Sequence, residues 1–425
     1  MQTYIKTYGC TLNRADSDIM ASLIHAAGIG IASSERDADT IILNTCTVKK
    51  QTEQKILYTL DRLVREGKKV VVTGCMASAN RDMIAKHAPG APIVTTSNTD
   101  MVVEALLSID KGASSAFADG RRIDKAGLIR PTGSVIARVP ASEGCLSNCA
   151  FCETKLARGP LNSFPEDTIV KAVEYCARSG SKEIEITSQD LGAYGFDRKT
   201  DISKLMKRIA KIQGDFKVRI GMLNPEHLHR YLYDLIEAMQ GDRFYKFIHV
   251  PVQSGSDRVL SDMRRSCSAE SFAEYVSELR KGVSGISIET DIIVGYPTES
   301  EDDFDMTMDM VRDIKPDITN ISRFGARPNT SAAKLKPLDP ETVKRRSSEL
   351  SRLVRKVQNG INAEYVGKEV NTLLTENSYK SLNGKTDSYK QVVLPASAGI
   401  ALGTAIRANI YAASANALYG SVRGI

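Results

Sequence analysis

Residues 143–152 read EGCLSNCAFC, which places Cys145, Cys149 and Cys152 at intervals of three and then two intervening residues. The stretch directly follows SVIARV (134–139), an apolar, β-branched run of strand character. Three thiolates crowded on one loop suit three corners of a 4Fe-4S cluster and leave the fourth iron open, whereas zinc generally wants four ligands in paired sets. Zinc, or a group of inert thiols, is the alternative. An iron with an open position can chelate the amino and carboxylate groups of S-adenosylmethionine and pass an electron to the sulfonium, releasing a 5′-deoxyadenosyl radical.

Outward from this loop the strand pattern repeats. EIEIT (183–187), KVRIGM (217–222), KFIHV (246–250), ISIETDIIV (286–294) and DITNISRF (317–324) bring the strand-like runs to six. Amphipathic stretches separate them, among them PEDTIVKAVEYCARSG (165–180), PEHLHRYLYDLIEAMQ (225–240) and ESEDDFDMTMDMVRDI (299–314), the first two opened by Pro. Six βα rounds fall short of the eight that close a barrel, so the expectation for residues 131–360 is a partial, curved (βα)6 barrel with its active face at the strand carboxyl ends.

Upstream, TYIKTY (3–8), DTIILNT (39–45), KVVVTG (69–74) and PIVTTS (92–97) alternate with helical patterns over Asp16–Ala27, Val48–Arg65 and Asn80–His87. This alternation predicts an open parallel α/β domain over residues 1–110. Cys10 in TYGCTLN, Cys46 in LNTCTVK and Cys75 in TGCMA each closely follow one of these strands. Strand carboxyl ends share one edge of an open parallel sheet, so the three thiolates can meet there and hold a second cluster with an open iron. Chance placement is the alternative. Cys176, on an amphipathic helix, and Cys267, after a helical basic run, read as structural thiols. The small, polar, aperiodic KGASSAFADGRRIDKAG predicts a linker over 111–130.

At the other end, PLDPETVKRRSSELSRLVRKVQNGINAEYVG (337–367) predicts a long basic helix in which Lys344, Arg345, Arg346, Arg352, Arg355 and Lys356 outnumber Glu341 and Glu349. It is either a solvated face or an RNA-facing one. EVNTLLTEN, YKQVVLP and AIRANIYAA then alternate like strands, predicting a small all-β barrel over 361–425. The chain has 425 residues, 42% hydrophobic and 25% charged, enough for about three ordered domains at roughly 150 residues each and too apolar for a disordered chain. Eight cysteines are too few for a disulfide scaffold, and the net charge of +6 is compatible with an RNA partner without demanding one. No amino-terminal stretch has the apolar core of a secretory signal, and no segment approaches ~18 uninterrupted apolar residues. The expectation is a cytoplasmic protein with no membrane partner.

On these motifs the sequence resembles the radical S-adenosylmethionine methylthiotransferase family over essentially the whole chain. The resemblance implies that residues 1–110 are the methylthiotransferase domain with Cys10, Cys46 and Cys75 as ligands of an auxiliary 4Fe-4S cluster, that the middle region is the radical barrel, and that 361–425 is an RNA-binding TRAM barrel. TSQDLGAYG, RIGMLNP, HVPVQSGSDRVL, TDIIVGYPTES and RFGARPNTSAAKL are similar to family segments and sit at or past strand carboxyl ends. The resemblance thereby nominates Ser188, Gln189 and Asp190 for the methionyl or ribose end of S-adenosylmethionine. Asn224, Gln253, Ser254 and Gly295 are nominated as neighbours, and Phe151 as the aromatic beside the cluster whose backbone meets adenine. Loop capping or packing is the alternative for each.

Within the family, NTCTVKK and TSQDLGAYG are most similar to the archaeal and eukaryotic branch acting on threonylcarbamoyladenosine in tRNA. The chain lacks the hydrophobic tail anchor of eukaryotic members, which implies an archaeal-type member. The implied reaction inserts sulfur and a methyl group at C2 of adenine and consumes two molecules of S-adenosylmethionine, one as methyl donor and one as radical source. It needs an electron donor and a sulfur donor as partners. Arg158, Arg219, Arg327 and the basic helix are candidates for tRNA phosphate contacts. The rival readings are methylthiolation of a ribosomal-protein aspartate or of isopentenyladenosine in tRNA, and a non-catalytic iron-sulfur RNA-binding sensor.

Overall fold

In the computed structural model, which describes residues 1–110, 121–130, 133–378, 380–396 and 400–422, TIILNT lies at the centre of an amino-terminal sheet. Strands β1 (Gln2–Thr7), β2 (Gly30–Ile31), β3 (Thr40–Thr45), β4 (Lys69–Gly74) and β5 (Ile93–Val94) run parallel in the order β2-β1-β3-β4-β5. Every residue of β3 is buried, because helices cover both faces. The alternation of strand side chains divides the work. Ile42 and Val71 turn toward Met20 and Ile24 of helix α1 (Thr11–Ala26), while Ile41, Leu43, Val70 and Val72 turn toward Ile56, Leu60 and Leu63 of helix α2 (Lys50–Arg65). Each of those three α2 side chains contributes about 1.5–3 kcal/mol on burial.

Helix α1 starts at Thr11, ahead of the expected Asp16, because Leu12 and Ala15 are fully buried and belong to its apolar face. A five-residue helix α3 (Cys75–Ala79), not foreseen from the sequence, follows β4 directly.

The middle region contains all six expected strands. They are β6 (Ile136–Pro140), β9 (Glu183–Thr187), β10 (Lys217–Ile220), β11 (Phe247–His249), β12 (Ser287–Val294) and β13 (Ile318–Arg323); the short pair β7 (Ser142–Glu143) and β8 (Asn162–Ser163) brackets the cysteine loop. β6, β9 and β10 form one parallel sheet and β11, β12 and β13 another. The Val218–Phe244 bridge and a 2.9 Å bond from Leu223 N to His249 O carry the curvature across the join. This is the expected partial barrel, with Ile19 of α1 packed into its core and Arg138 of β6 paired to Asp18 at 3.1 Å.

The expected linker needs correction. Residues 111–120 lie outside the described residues, but 121–130 pack against the body: Ala126 and Ile129 are buried, and Lys125 is 1% exposed. Its Nζ sits 2.7 Å from both Asp16 and Glu143. An apparently polar connector therefore contributes a buried cation between the first two regions.

At the carboxyl end, β14 (Glu369–Ser378), β15 (Ser381–Thr386), β16 (Gln391–Pro395), β17 (Ala405–Ala413) and β18 (Leu418–Val422) close a barrel in the order β14-β15-β16-β18-β17 around Leu374, Leu382, Val392, Leu394, Ile410 and Leu418. Its β15–β16 loop docks on the amino-terminal ends of the middle strands. Tyr389 Oη donates to Glu183 at 2.7 Å, Asp387 pairs with Lys217 at 3.0 Å, and Lys390 pairs with Asp317 at 2.8 Å. Among the described residues no helix is long and apolar enough to cross a membrane.

Candidate cluster and cosubstrate site

Because β1, β3 and β4 are neighbours, their carboxyl ends bring Cys10, Cys46 and Cys75 onto one edge. Cys10 is the residue at the amino-terminal cap of α1, and Cys75 is the first residue of α3, so two of the thiols sit at helix amino termini. Gly74 makes the sharp turn into α3 with φ +90°; a Cβ there would lie 2.5 Å from Thr45 O. Asn13 is the hub of the edge. Its Nδ2 donates to Tyr8 O at 2.9 Å and Thr45 O at 2.7 Å, and its Oδ1 lies 3.8 Å from Cys10 Sγ and 3.6 Å from Cys75 Sγ.

Arg158, six residues beyond Cys152, reaches this edge from the middle region. Its guanidinium donates to Cys75 Sγ at 3.3 Å, Glu143 at 2.7 Å, Asn13 Oδ1 at 2.7 Å and Asp16 at 2.8 Å. Burial works against the charge, but Cys75, Asp16 and Glu143 hold Arg158 above its ordinary pKa. Asp16 and Glu143 are shared with Lys125, so two cations and two carboxylates form a buried neutral group behind the thiols.

The second cysteine set is held as firmly. Gly144, at φ +75°, lets the loop pass Pro160, whose carbonyl oxygen would lie 2.1 Å from an added Cβ. Its N–H donates to Gln189 Oε1 at 2.8 Å, Lys155 Nζ donates to the Leu146 and Ser147 carbonyls at 3.1 and 3.2 Å, and Arg265 Nη1 lies 3.7 Å from Cys149 Sγ. Burial pushes the Cys75 and Cys145 thiols each up to about 12, so iron binding there displaces protons.

All six cysteines line a single cavity of about 590 Å³. Among the described residues no three His, Cys, Asp or Glu side chains surround a single-ion position. Three protein thiols in each set are the external ligands that three irons of a 4Fe-4S cluster would take, and the hydrogen-bond donors on Cys75 and Cys149 are of the kind that tune such a cluster. The donor set fits. Cys176 and Cys267 are buried in the hydrophobic core, away from the cavity.

Phe151, Ser188, Gln189, Asp190, Asn224 and Gln253 also line the cavity. Ser188 Oγ is buried without a hydrogen-bond partner, whereas Asp190 Oδ1 accepts from Gly192 N and Asn224 N at 2.9 and 3.0 Å and so also shapes the loop. Asn224 Nδ2 donates to Ser147 Oγ and Glu226, each at 2.8 Å. Gln253 has φ +84°, a costly conformation for a residue with a Cβ, held by bonds to Asp291 O and from Ile293 N, both 2.9 Å. Ser254 and Gly295 do not line the cavity. Ser254 is buried against Thr307 and Ser256, and Gly295 donates to Glu299 at 2.9 Å where a Cβ would strike Val343.

Residues 2–96 match the uncharacterised protein family UPF0004, and residues 139–311 match the radical SAM superfamily. A probable threonylcarbamoyladenosine tRNA methylthiotransferase from Archaeoglobus fulgidus is 42% identical, covering 94% of this chain and 94% of its own. The chain belongs to the threonylcarbamoyladenosine tRNA methylthiotransferase family. A family member from Drosophila melanogaster is 34% identical over 99% of this chain and 77% of its own length. Among solved structures, a radical S-adenosylmethionine methyltransferase, TsrM, from Kitasatospora setae shares the fold with a TM-score of 0.55 at 11% identity, covering 78% of this chain and 76% of that one. Membership in the radical SAM superfamily carries S-adenosylmethionine and a 4Fe-4S cluster with it.

For a tRNA methylthiotransferase, the expected phosphate contacts need revision. Arg158 is wholly buried, as above. Arg327 is buried against Glu153 at 2.9 Å and Glu53 at 2.5 Å, and Arg346 against Glu299 and Glu301, both 2.8 Å. Desolvated and paired, none of the three is available to a phosphate. Arg219 points into the barrel and lines the cavity. Lys344, Arg345, Arg352 and Arg355 are exposed on the helix Pro340–Ala363, although Arg345 is engaged by Glu301 and Glu349. Asn13, Arg265, His249 and Asp291 are cavity residues that sequence reasoning missed. For Asn13, its position in GCTLN, one helical turn after Cys10, was the available signal.

Proposed function

We propose that this chain converts N6-threonylcarbamoyladenosine next to the anticodon of tRNA to its 2-methylthio derivative. The observation that carries this reading is the convergence of two cysteine triads on one cavity, one from strand ends of the amino-terminal sheet and one from the loop after β6. Clusters held by Cys10, Cys46 and Cys75 and by Cys145, Cys149 and Cys152 would supply the sulfur position and the electron for a carbon too inert for ordinary nucleophilic attack. The chain's own part is placement. Gln189 fixes the start of the cysteine loop, Asn224 its middle through Ser147, and the neutral group of Arg158, Lys125, Asp16 and Glu143 fixes the two triads relative to each other. Ser188, Gln189, Asp190, Asn224, Gln253 and Phe151 form the wall that S-adenosylmethionine would meet. A reductant and a sulfur donor complete the partners, and we assign the protein to the cytoplasm, where its tRNA is.

Nucleosides from bulk tRNA of a strain lacking this protein should lose 2-methylthio-N6-threonylcarbamoyladenosine and accumulate its precursor, as read by mass spectrometry. Persistence of the modified nucleoside at parental levels overturns the substrate assignment.

The exposed part of the basic helix is the reading's RNA-facing element. Replacing Arg352 and Arg355 together by Gln should lower the slope of log affinity for tRNA against log salt by about 1–2 and weaken binding to different tRNAs alike. An unchanged slope leaves these side chains as a solvated face.

A further inference from the structure

The wall of the cavity carries a buried cation, Arg219, whose charge Glu185, Glu289 and Glu183 favour from a distance without any of them reaching ion-pair contact. Arg219 stands on β10 opposite Glu185 of β9, with its guanidinium 5.2 Å from the Phe247 ring and 5.3 Å from the Tyr389 ring. Its Nε is buried without a hydrogen-bond partner, and among the described residues no carboxylate forms an ion pair with it. The carboxylates around it are otherwise engaged. Glu185 pairs with Arg138 at 3.0 Å, and Asp291 with His249 at 3.1 Å. Asn320 Nδ2 donates to Glu289 at 2.7 Å and to Asp291 at 2.9 Å. The same cavity wall therefore presents one guanidinium fork beside the acceptors Glu289 and Asp291.

A threonylcarbamoyl group has complementary chemistry: a carboxylate at its end, with a hydroxyl and ureido N–H groups that donate. A hydrocarbon substituent in the same place would leave the guanidinium dehydrated and unmatched, a costly arrangement. We propose that Arg219 receives the carboxylate of the threonylcarbamoyl group and thereby selects this nucleoside over relatives with uncharged N6 substituents. The inference rests on the function proposed above. The Phe247 and Tyr389 rings lie side by side against the guanidinium, their centroids 4.9 Å apart, and pack it on that side, and a guanidinium fork matches a planar carboxylate.

The test uses the full-length protein with its clusters reconstituted and two anticodon stem-loop RNAs, one bearing N6-threonylcarbamoyladenosine and one bearing its methyl ester. The wild-type protein should methylthiolate the acid in preference to the ester by about tenfold or more in kcat/KM. Arg219→Gln should bring that ratio close to one, and Arg219→Lys, which keeps the charge without the fork, should give a ratio between the two. If the wild-type protein turns over both RNAs equally well, this inference falls while the proposed reaction stands, and no variant is needed to decide it. If Arg219→Gln lowers turnover of both RNAs with the ratio preserved, Arg219 serves the cosubstrate or the fold and the inference falls as well. If the wild-type protein modifies neither RNA, the proposed function itself fails and takes this inference with it.

Discussion

Replacing Cys145, Cys149 and Cys152 together by Ala should abolish formation of 5′-deoxyadenosine from S-adenosylmethionine and roughly halve the bound iron, from about eight to about four atoms per chain. Replacing Cys10, Cys46 and Cys75 should remove the other half and eliminate the methylthiolated product, while 5′-deoxyadenosine is still formed. The expectation follows from geometry. The two triads come from separate elements, the sheet edge and the loop between β7 and β8, so one set of thiols can be removed without dismantling the other. Iron and 5′-deoxyadenosine, assayed anaerobically with a chemical reductant, check both halves. Continued 5′-deoxyadenosine formation after loss of the loop triad would sink the assignment of that triad to the radical step.

The second large effect concerns Arg158. Arg158→Met should destabilise the fold by about 3–5 kcal/mol, because it leaves buried carboxylates short of a cation. Asp16 is 3% and Glu143 11% exposed in their side chains, and both would depend on Lys125 alone. The substitution also removes the donor to Cys75 Sγ and one partner of Asn13, so iron retained by the amino-terminal triad should fall with stability. Urea denaturation followed by circular dichroism reads the first effect and iron analysis the second. A midpoint shifted by less than about 0.5 M would be too small for the loss of a buried pair and would refute the argument.

The contrast between these predictions shows what sequence reasoning can reach. The loop triad was legible because its spacing is local, and the dispersed triad because each cysteine follows a strand and parallel strands share an edge. All six barrel strands were legible from apolar runs of the right length. β15 and β18 were not, because SLNGKT and LYGSV are short and interrupted by Gly and polar residues. The arginines were misread for a different reason. The partners of Arg158 and Arg327 are 142 and 274 residues away for Asp16 and Glu53, so nothing local distinguishes a buried cation from an exposed one. Arg346 was recoverable. It precedes Leu350 and Val354 at helical spacing, and that stripe is the buried face of its helix, whereas Arg352 and Arg355 fall off it.

The docking of the β15–β16 loop bears on how such enzymes diversify. Tyr389 belongs to the terminal barrel yet bonds Glu183 beneath the middle strands and lies against Arg219 on the cavity wall. The terminal barrel is therefore not an interchangeable handle that could be traded for another small β-barrel by recombination at residue 364. A transplanted barrel would bring a different stopper to the foot of the reaction chamber, so inheritance of the handle and inheritance of the chamber's floor are tied together.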